Sequence, residues 1–282
     1  MDTDTGAGCP ACNEKCNEMN QAPQFYTKVV ALNDEKHRGL RIRSVQGYAF
    51  ARDTNAVVLT AAEFAFAALE YPVVFLDVAG RVTPIAVLGL EPAQNLFLGN
   101  GALWEARYVP AYVRRYPFML ARATPAAREM TVCIDESSDR LSQTDGERLF
   151  QDDGNPTAYL TRAIEFLRDY DRQARITEEL CARLAASTLL EPMQANLSLP
   201  DGVGRSVGGF LAVSRDRLKA LGAEQVYALL DKGELELIYS HLFSLRNFAV
   251  LADRRKGGGA RPGRHTAPGR SRTKKKKAGT KS

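Results

Sequence analysis

The stretch YVPAYVRRYPFML, residues 108–120, sets two adjacent arginines among three tyrosines and brackets them with Pro110 and Pro117. If 111–119 is extended, Tyr112, Arg114 and Tyr116 share one face, and Val113, Arg115 and Pro117 the other. A guanidinium between two phenol rings stacks on them and offers a planar fork to a carboxylate or a phosphate. Arg114, Arg115, Tyr112 and Tyr116 are therefore candidate binding residues for an anion or a peptide carboxylate. Proline cannot donate to a ladder, which places the segment at a sheet edge or at strand ends. An exposed edge also accepts a partner's strand. The internal alternative is that the arginines pair with the chain's own acids and the tyrosines pack.

Cys9, Cys12 and Cys16 form a second candidate site. Thiolates at this spacing can ligate zinc or an iron–sulfur cluster. No fourth ligand lies close, His37 being the nearest histidine, so reduced thiols on a flexible segment are the alternative. The order of the gaps, two residues then three, is the reverse of the radical-enzyme triad. Cys133 and Cys181 fall in a strand and a helix, where they read as small buried hydrophobes. Five cysteines without a secretory start argue against a disulfide framework.

His37 follows a charged turn and stands beside Arg38; it either titrates near neutral pH as part of a ligand site or caps the turn. His241 lies on the stripe Leu237, Ile238, His241, Leu242, Leu245, Phe248 and reads as a satisfied core histidine. The acidic stretch 135–153 lacks the spaced ligands of a calcium loop and reads as solvated. Zinc-hydrolase, nucleophile-elbow, phosphate-loop and dinucleotide patterns are absent in their proper contexts.

The elements that must position these residues begin near Phe25. FYTKVVAL (25–32) has strand composition, and Leu40 and Ile42 alternate with Arg41 and Arg43. Thr60 and Glu63 match a capping box, which predicts a helix over 61–70 stopped by Pro72. VVFLDV (73–78), AGR and PIAVLGL (84–90) read as a hairpin. NLFLG (95–99) and MTVCIDE (130–136) read as strands. Asn155 as N-cap with Pro156 at the first position opens a helix over 156–186, with its apolar stripe from Leu160 to Leu184. Residues 197–213 return to strand, Ser214 caps a short helix, and a last helical region over 223–252 breaks near Gly233. Short, turn-linked strands favour an antiparallel sheet. The expected fold is α+β: a mostly antiparallel sheet with C-terminal helices over 23–252, between a disordered cysteine-bearing segment (1–22) and a disordered basic tail (253–282).

Charge is unevenly placed. Of 38 basic and 33 acidic residues, 12 and one lie in 253–282, so the tail carries +11 and the rest of the chain −6. The apolar share, 45%, allows a sizeable core. No run approaches the ~18–20 apolar residues of a membrane span. The polar, acidic start is not a secretory signal, so the expected location is the cytoplasm.

FYTKVVALNDEKHRGLRI, AEFAFAALEYPVVF, the block IAVLGL…NLFL…W…YVPAYVRRYPF, then TVCIDE and GERLF…DGNPTAYL together resemble the SapC family of bacterial proteins, in order, over about 25–250. The family is named after a surface-layer locus and is distinct from the peptide-transport permease of the same name. Its genes often stand near those of outer-membrane receptors and halogenase-like proteins. The resemblance implies an accessory protein with a protein partner and supplies no catalytic residues. The expected function is therefore binding of an anionic or peptide ligand near Arg114 and Arg115. The alternative is an enzyme or cofactor-dependent modifier using His37, Arg114 and Arg115 beside a halogenase-like partner.

The tail also offers non-specific contact with nucleic acid or an anionic surface through residues 254–282. Such contact weakens steeply with salt. Nucleic-acid binding followed by fluorescence anisotropy should vanish when the tail is deleted; binding that survives the deletion belongs to the body.

Overall fold

The computed structural model describes residues 24–44, 47–122, 130–198 and 204–256. Cys9, Cys12 and Cys16 lie outside the described residues, as do 257–282 of the basic tail. In chain order the strands and helices are β1 (Val29–Ala31), α1 (Asp34–His37), β2 (Arg41–Ile42), β3 (Ala56–Val58), α2 (Phe64–Ala67), β4 (Val73–Val78) and β5 (Arg81–Val87). There follow α3 (Ala111–Arg114), β6 (Phe118–Arg122), β7 (Met130–Asp135), β8 (Leu141–Ser142), β9 (Glu147–Arg148) and the long α4 (Ala158–Ala186). The C-terminal part holds β10 (Leu190–Ser198), β11 (Gly204–Val213), α5 (Arg215–Lys219), α6 (Ala223–Asp231), α7 (Glu234–Ser244) and α8 (Asn247–Lys256).

The strands form a five-stranded sheet in the order β10-β11-β4-β5-β3 and two three-stranded sheets, β1-β7-β6 and β8-β2-β9. Every described pairing is antiparallel, so the class is α+β with C-terminal helices, as expected. The β4–β5 hairpin turns through Ala79 and Gly80, both at positive φ (52° and 80°), the backbone of a tight two-residue turn. Asp77 Oδ1 accepts the Gly80 N–H at 2.8 Å.

Helix α4 packs on β5 of the large sheet and on β6 of the β1-β7-β6 sheet. Its first half gives Leu160 and Leu167 to a core with Ile42, Phe118, Ile134 and Leu149. Its second half gives Leu180, Cys181 and Leu184 to the main core around Phe64, Phe75 and Phe97. At 29 residues the helix is ~43 Å long at ~1.5 Å per residue, enough to serve both. Its N-cap is Thr157, whose hydroxyl accepts from the Leu160 N–H, and not the expected Asn155. Asn155 is instead bound locally to Asp153.

Three other expectations change. NLFLG is not a strand, apart from one bridge between Leu98 and Trp104. Asn95 Oδ1 takes the Phe97 N–H at 2.9 Å, and Asn95 Nδ2 donates to Ala51 O, so the side chain competes with a ladder. The predicted helix over 61–70 is a 3-10 turn, Ala61–Glu63, that runs into the single turn of α2. The last helical region breaks at the expected Gly233, which is left-handed (φ 68°), but it also breaks a second time before Asn247. It also continues beyond 252 to Lys256. Arg254 is buried, donates to Glu105 O at 2.7 Å and lies over the Phe97 ring. Arg255 pairs with Glu91 at 3.1 Å. These two cations belong to the fold, so a truncation aimed at the tail has to begin at 257.

Helix α7 is tied to the sheet by buried polar groups. Val213 N–H donates to His241 Nε2 at 3.0 Å, and His241 Nδ1–H donates to Val73 O at 2.7 Å. Ser244 Oγ takes the Val73 N–H at 2.9 Å. His241 thus serves as a neutral core ring, and burial pushes its pKa from 6.5 down to about 4. The unfolded chain binds the proton more readily, so this contribution to stability is present above 6.5 and is lost as pH falls toward about 4. Urea unfolding across that window should show the slope. His241→Gln should abolish it and cost about 2–3 kcal/mol near neutral pH.

Candidate functional site

The segment that carries the paired arginines is placed by a buried carboxylate. Glu63 Oε2 accepts the Thr60 N–H and hydroxyl at 2.8 and 3.0 Å, which closes the predicted capping box. Glu63 Oε1 accepts the Tyr108 hydroxyl and the Ala111 N–H, both at 2.7 Å. Glu63 is 4% exposed, and no lysine or arginine lies within 4 Å of it among the described residues. Thr177 of α4 joins the same hub: its hydroxyl accepts the Ala61 N–H at 2.8 Å and donates to Gln173 O.

This contact changes the backbone expected for 111–119. The segment is not one extended strand. Pro110 O accepts from Val113 and Arg114, and Arg115 N–H reaches Ala111 O, forming the single turn α3 before β6 begins at Phe118. Capture of the Ala111 N–H by Glu63 supplies an acceptor that a helix start otherwise lacks. Tyr112, Arg114 and Tyr116 therefore do not share a strand face.

The two arginines have different surroundings. Arg115 is enclosed by tyrosines, its guanidinium carbon 4.1 Å from the Tyr112 ring centroid, 4.9 Å from Tyr170 and 5.7 Å from Tyr26. Burial works against its charge, and the surrounding phenol groups hold it charged. No carboxylate pairs with it among the described residues. Tyr116 is buried, stacked on Phe50 at 4.1 Å and edge-on to Tyr26 at 5.3 Å. Arg140 continues this wall, lying 4.9 Å from the Phe50 ring and donating to Tyr116 O and Gly47 O.

Arg114 is exposed. Its Nε donates to Val109 O at 3.0 Å, and its guanidinium carbon lies 5.0 Å from the Phe166 ring and 5.7 Å from Tyr108. Tyr108 stacks in turn on Phe66, which is 59% exposed. A cation, two aromatic faces and an apolar ring are thus presented together, with no carboxylate on the arginine among the described residues.

His37 lies elsewhere and is 1% exposed. Its Nδ1 bonds to Asn33 backbone at 3.0–3.1 Å, and its Nε2 meets Glu136 Oε1 at 3.3 Å. Lys28 and Lys36 reach the same carboxylate at 2.9 and 2.5 Å. Burial opposes the charge on Glu136, but Lys36, Lys28 and His37 outweigh it and hold the carboxyl at about 2. These groups line an open cleft of about 600 Å³ that also includes Arg43, Ser138 and Ser142.

Of the expected site residues, Arg115 and Tyr112 come together, Tyr116 stands beside them across Tyr26, Arg114 faces outward and His37 shares no contact with either arginine. Sequence reading missed Tyr26, Tyr170 and Arg140 as the rest of the wall, and Glu63 as its anchor beyond the cap. It also missed Glu136, read as part of a solvated acidic loop, and the cations that converge on it. The capping box flagged Glu63; the partners of Glu136, about a hundred residues away in the chain, left no local signal. Among the described residues no three His, Cys, Asp or Glu side chains form a metal-holding group. No described helix is long and apolar enough to cross a membrane.

The family model for SapC matches residues 32–251, and the chain belongs to the SapC family. No curated protein and no solved structure matches it.

Glu63→Gln places an amide N–H₂ against donors that now meet an oxygen. Urea denaturation should show a loss of about 2–3 kcal/mol. Tyr108→Phe, which removes one donor of the four, should cost about 1 kcal/mol.

Proposed function

We propose that this SapC-family chain is an accessory binding protein that meets an acidic or carboxylate-bearing segment of a protein partner at Arg114. The observation that supports this is the state of the Arg114 guanidinium: exposed, backed by the rings of Phe166 and Tyr108, and without a carboxylate among the described residues. An arginine held on aromatic faces loses little further freedom on binding and presents its fork to a carboxylate. Phe66 beside it adds apolar area of the kind that anchors a contact. Arg115, first grouped with Arg114, has the role of a packed cation in this reading: it holds Tyr26, Tyr112 and Tyr170 and so fixes the turn from which Arg114 projects. The surface-layer or outer-membrane uptake setting associated with the family belongs to the same proposal, the partner being a component of such a system.

An enzyme built on His37, Arg114 and Arg115 has less support, because the three occupy separate environments and His37 is engaged with Asn33 and Glu136.

Native mass spectrometry of the protein purified from its host should show a retained protein partner. Arg114→Glu should reduce that retention about tenfold or more by charge reversal, while melting within the small range of a surface change. Retention unchanged by Arg114→Glu, or a bound small molecule in place of a protein, would sink the proposal.

A further inference from the structure

We propose a second binding site, for a phosphate dianion of the monoester type, in the cleft bounded by α1, β2 and the Glu136–Thr144 turn. It shares no lining residue with the Arg114 surface.

The cleft is lined by Lys28, Lys36 and Arg43 against one carboxylate, Glu136. Asp145 stands at the rim, 77% exposed and 3.9 Å from Arg43, a separation that leaves the arginine loosely held. Three cations against one carboxylate leave the cleft with a positive excess. The lysine side chains are 65% and 55% exposed, so their ammonium groups can turn toward a ligand. Glu136 is fixed from behind by the buried His37, so a single carboxylate holds two mobile ammonium groups in place.

Hydroxyl groups complete the donor set. Ser142 is 8% exposed, and its Oγ already accepts from the Thr144 and Asp145 N–H groups at 3.2 and 3.0 Å. With its lone pairs engaged, the hydroxyl proton remains to be donated. Arg43 Nη2 sits 3.5 Å from the same oxygen, which places the guanidinium edge next to that donor. Ser138, 6% exposed and accepting the Arg140 N–H at 3.3 Å, also lines the cleft.

The competition with Glu136 selects the ligand. A monocarboxylate or a phosphodiester brings one negative charge, no more than the carboxylate already present. A phosphomonoester carries about −1.5 to −2 near neutral pH and three acceptor oxygens, enough to draw both ammonium groups while leaving Glu136 its bond to His37. Lysine serves here as a movable point charge and arginine as the directional fork.

The probes are inorganic phosphate and dimethyl phosphate, titrated calorimetrically into the full chain at about pH 8 and an ionic strength of about 50 mM, where surface charges are less screened. Phosphate should bind saturably. Lys36→Gln and Arg43→Gln should each weaken it about tenfold, the scale of one charge-assisted contact. Dimethyl phosphate should bind at least about tenfold more weakly, which separates a monoester from the diester of a nucleic-acid backbone or phospholipid. Arg114→Glu should change phosphate affinity less than about twofold, since Arg114 lines no part of the cleft. The basic tail is common to all variants, so their differences read the cleft alone. The absence of saturable binding, equal binding of the diester, or affinity insensitive to Lys36→Gln and Arg43→Gln would each overturn the assignment, whatever the fate of the Arg114 proposal.

Discussion

A buried carboxylate with hydrogen-bond donors on both oxygens and, among the described residues, no cation within 4 Å is the constraint on which this arrangement rests. Glu63 joins three stretches distant in sequence: the capped turn at Thr60, the Tyr108–Ala111 strip and, through Ala61 and Thr177, the middle of α4. Burying an unpaired ionised group is costly unless its lone pairs are filled, and here four donors fill them. Satisfaction of Glu63 requires those segments to be in place together. The position of α3, and with it both arginines, follows from that requirement.

The adjacent arginines then diverge because a helical turn separates neighbours by roughly 100°. Arg115 turns inward among three tyrosines, and Arg114 turns out over Phe166 and Tyr108. On a strand the two would point to opposite faces; on the turn one becomes part of the packing and the other part of the surface.

Much of the frame was legible in the sequence. The Thr60–Glu63 cap, the hairpin around Gly80, the apolar stripe of α4 and the break at Gly233 are written in local spacing, and local spacing is what periodicity and propensity report. The failures have a common cause. Whether 111–114 is strand or turn depends on an acceptor 48 residues away, and whether NLFLG pairs depends on where Asn95 finds a carbonyl, 44 residues away. The site suffers more from the same limit. His37 was visible as a residue, but Glu136, Lys28 and Arg43 acquire meaning only when β1 and β7 pair and bring the two ends of the cleft together. Arg254 was assigned to the tail by composition; its burial depends on Phe97 and Glu105.

The length of α4 has one more consequence. Its two halves belong to different hydrophobic cores, yet a helix propagates residue by residue and is broken only at the cost of a fresh pair of unsatisfied ends. The two cores are thereby made into one cooperative unit: neither sheet can open alone without fraying a helix that the other holds shut. The two cores thus share one mechanical axis, with the Tyr170 ring near its midpoint 4.9 Å from the Arg115 guanidinium carbon.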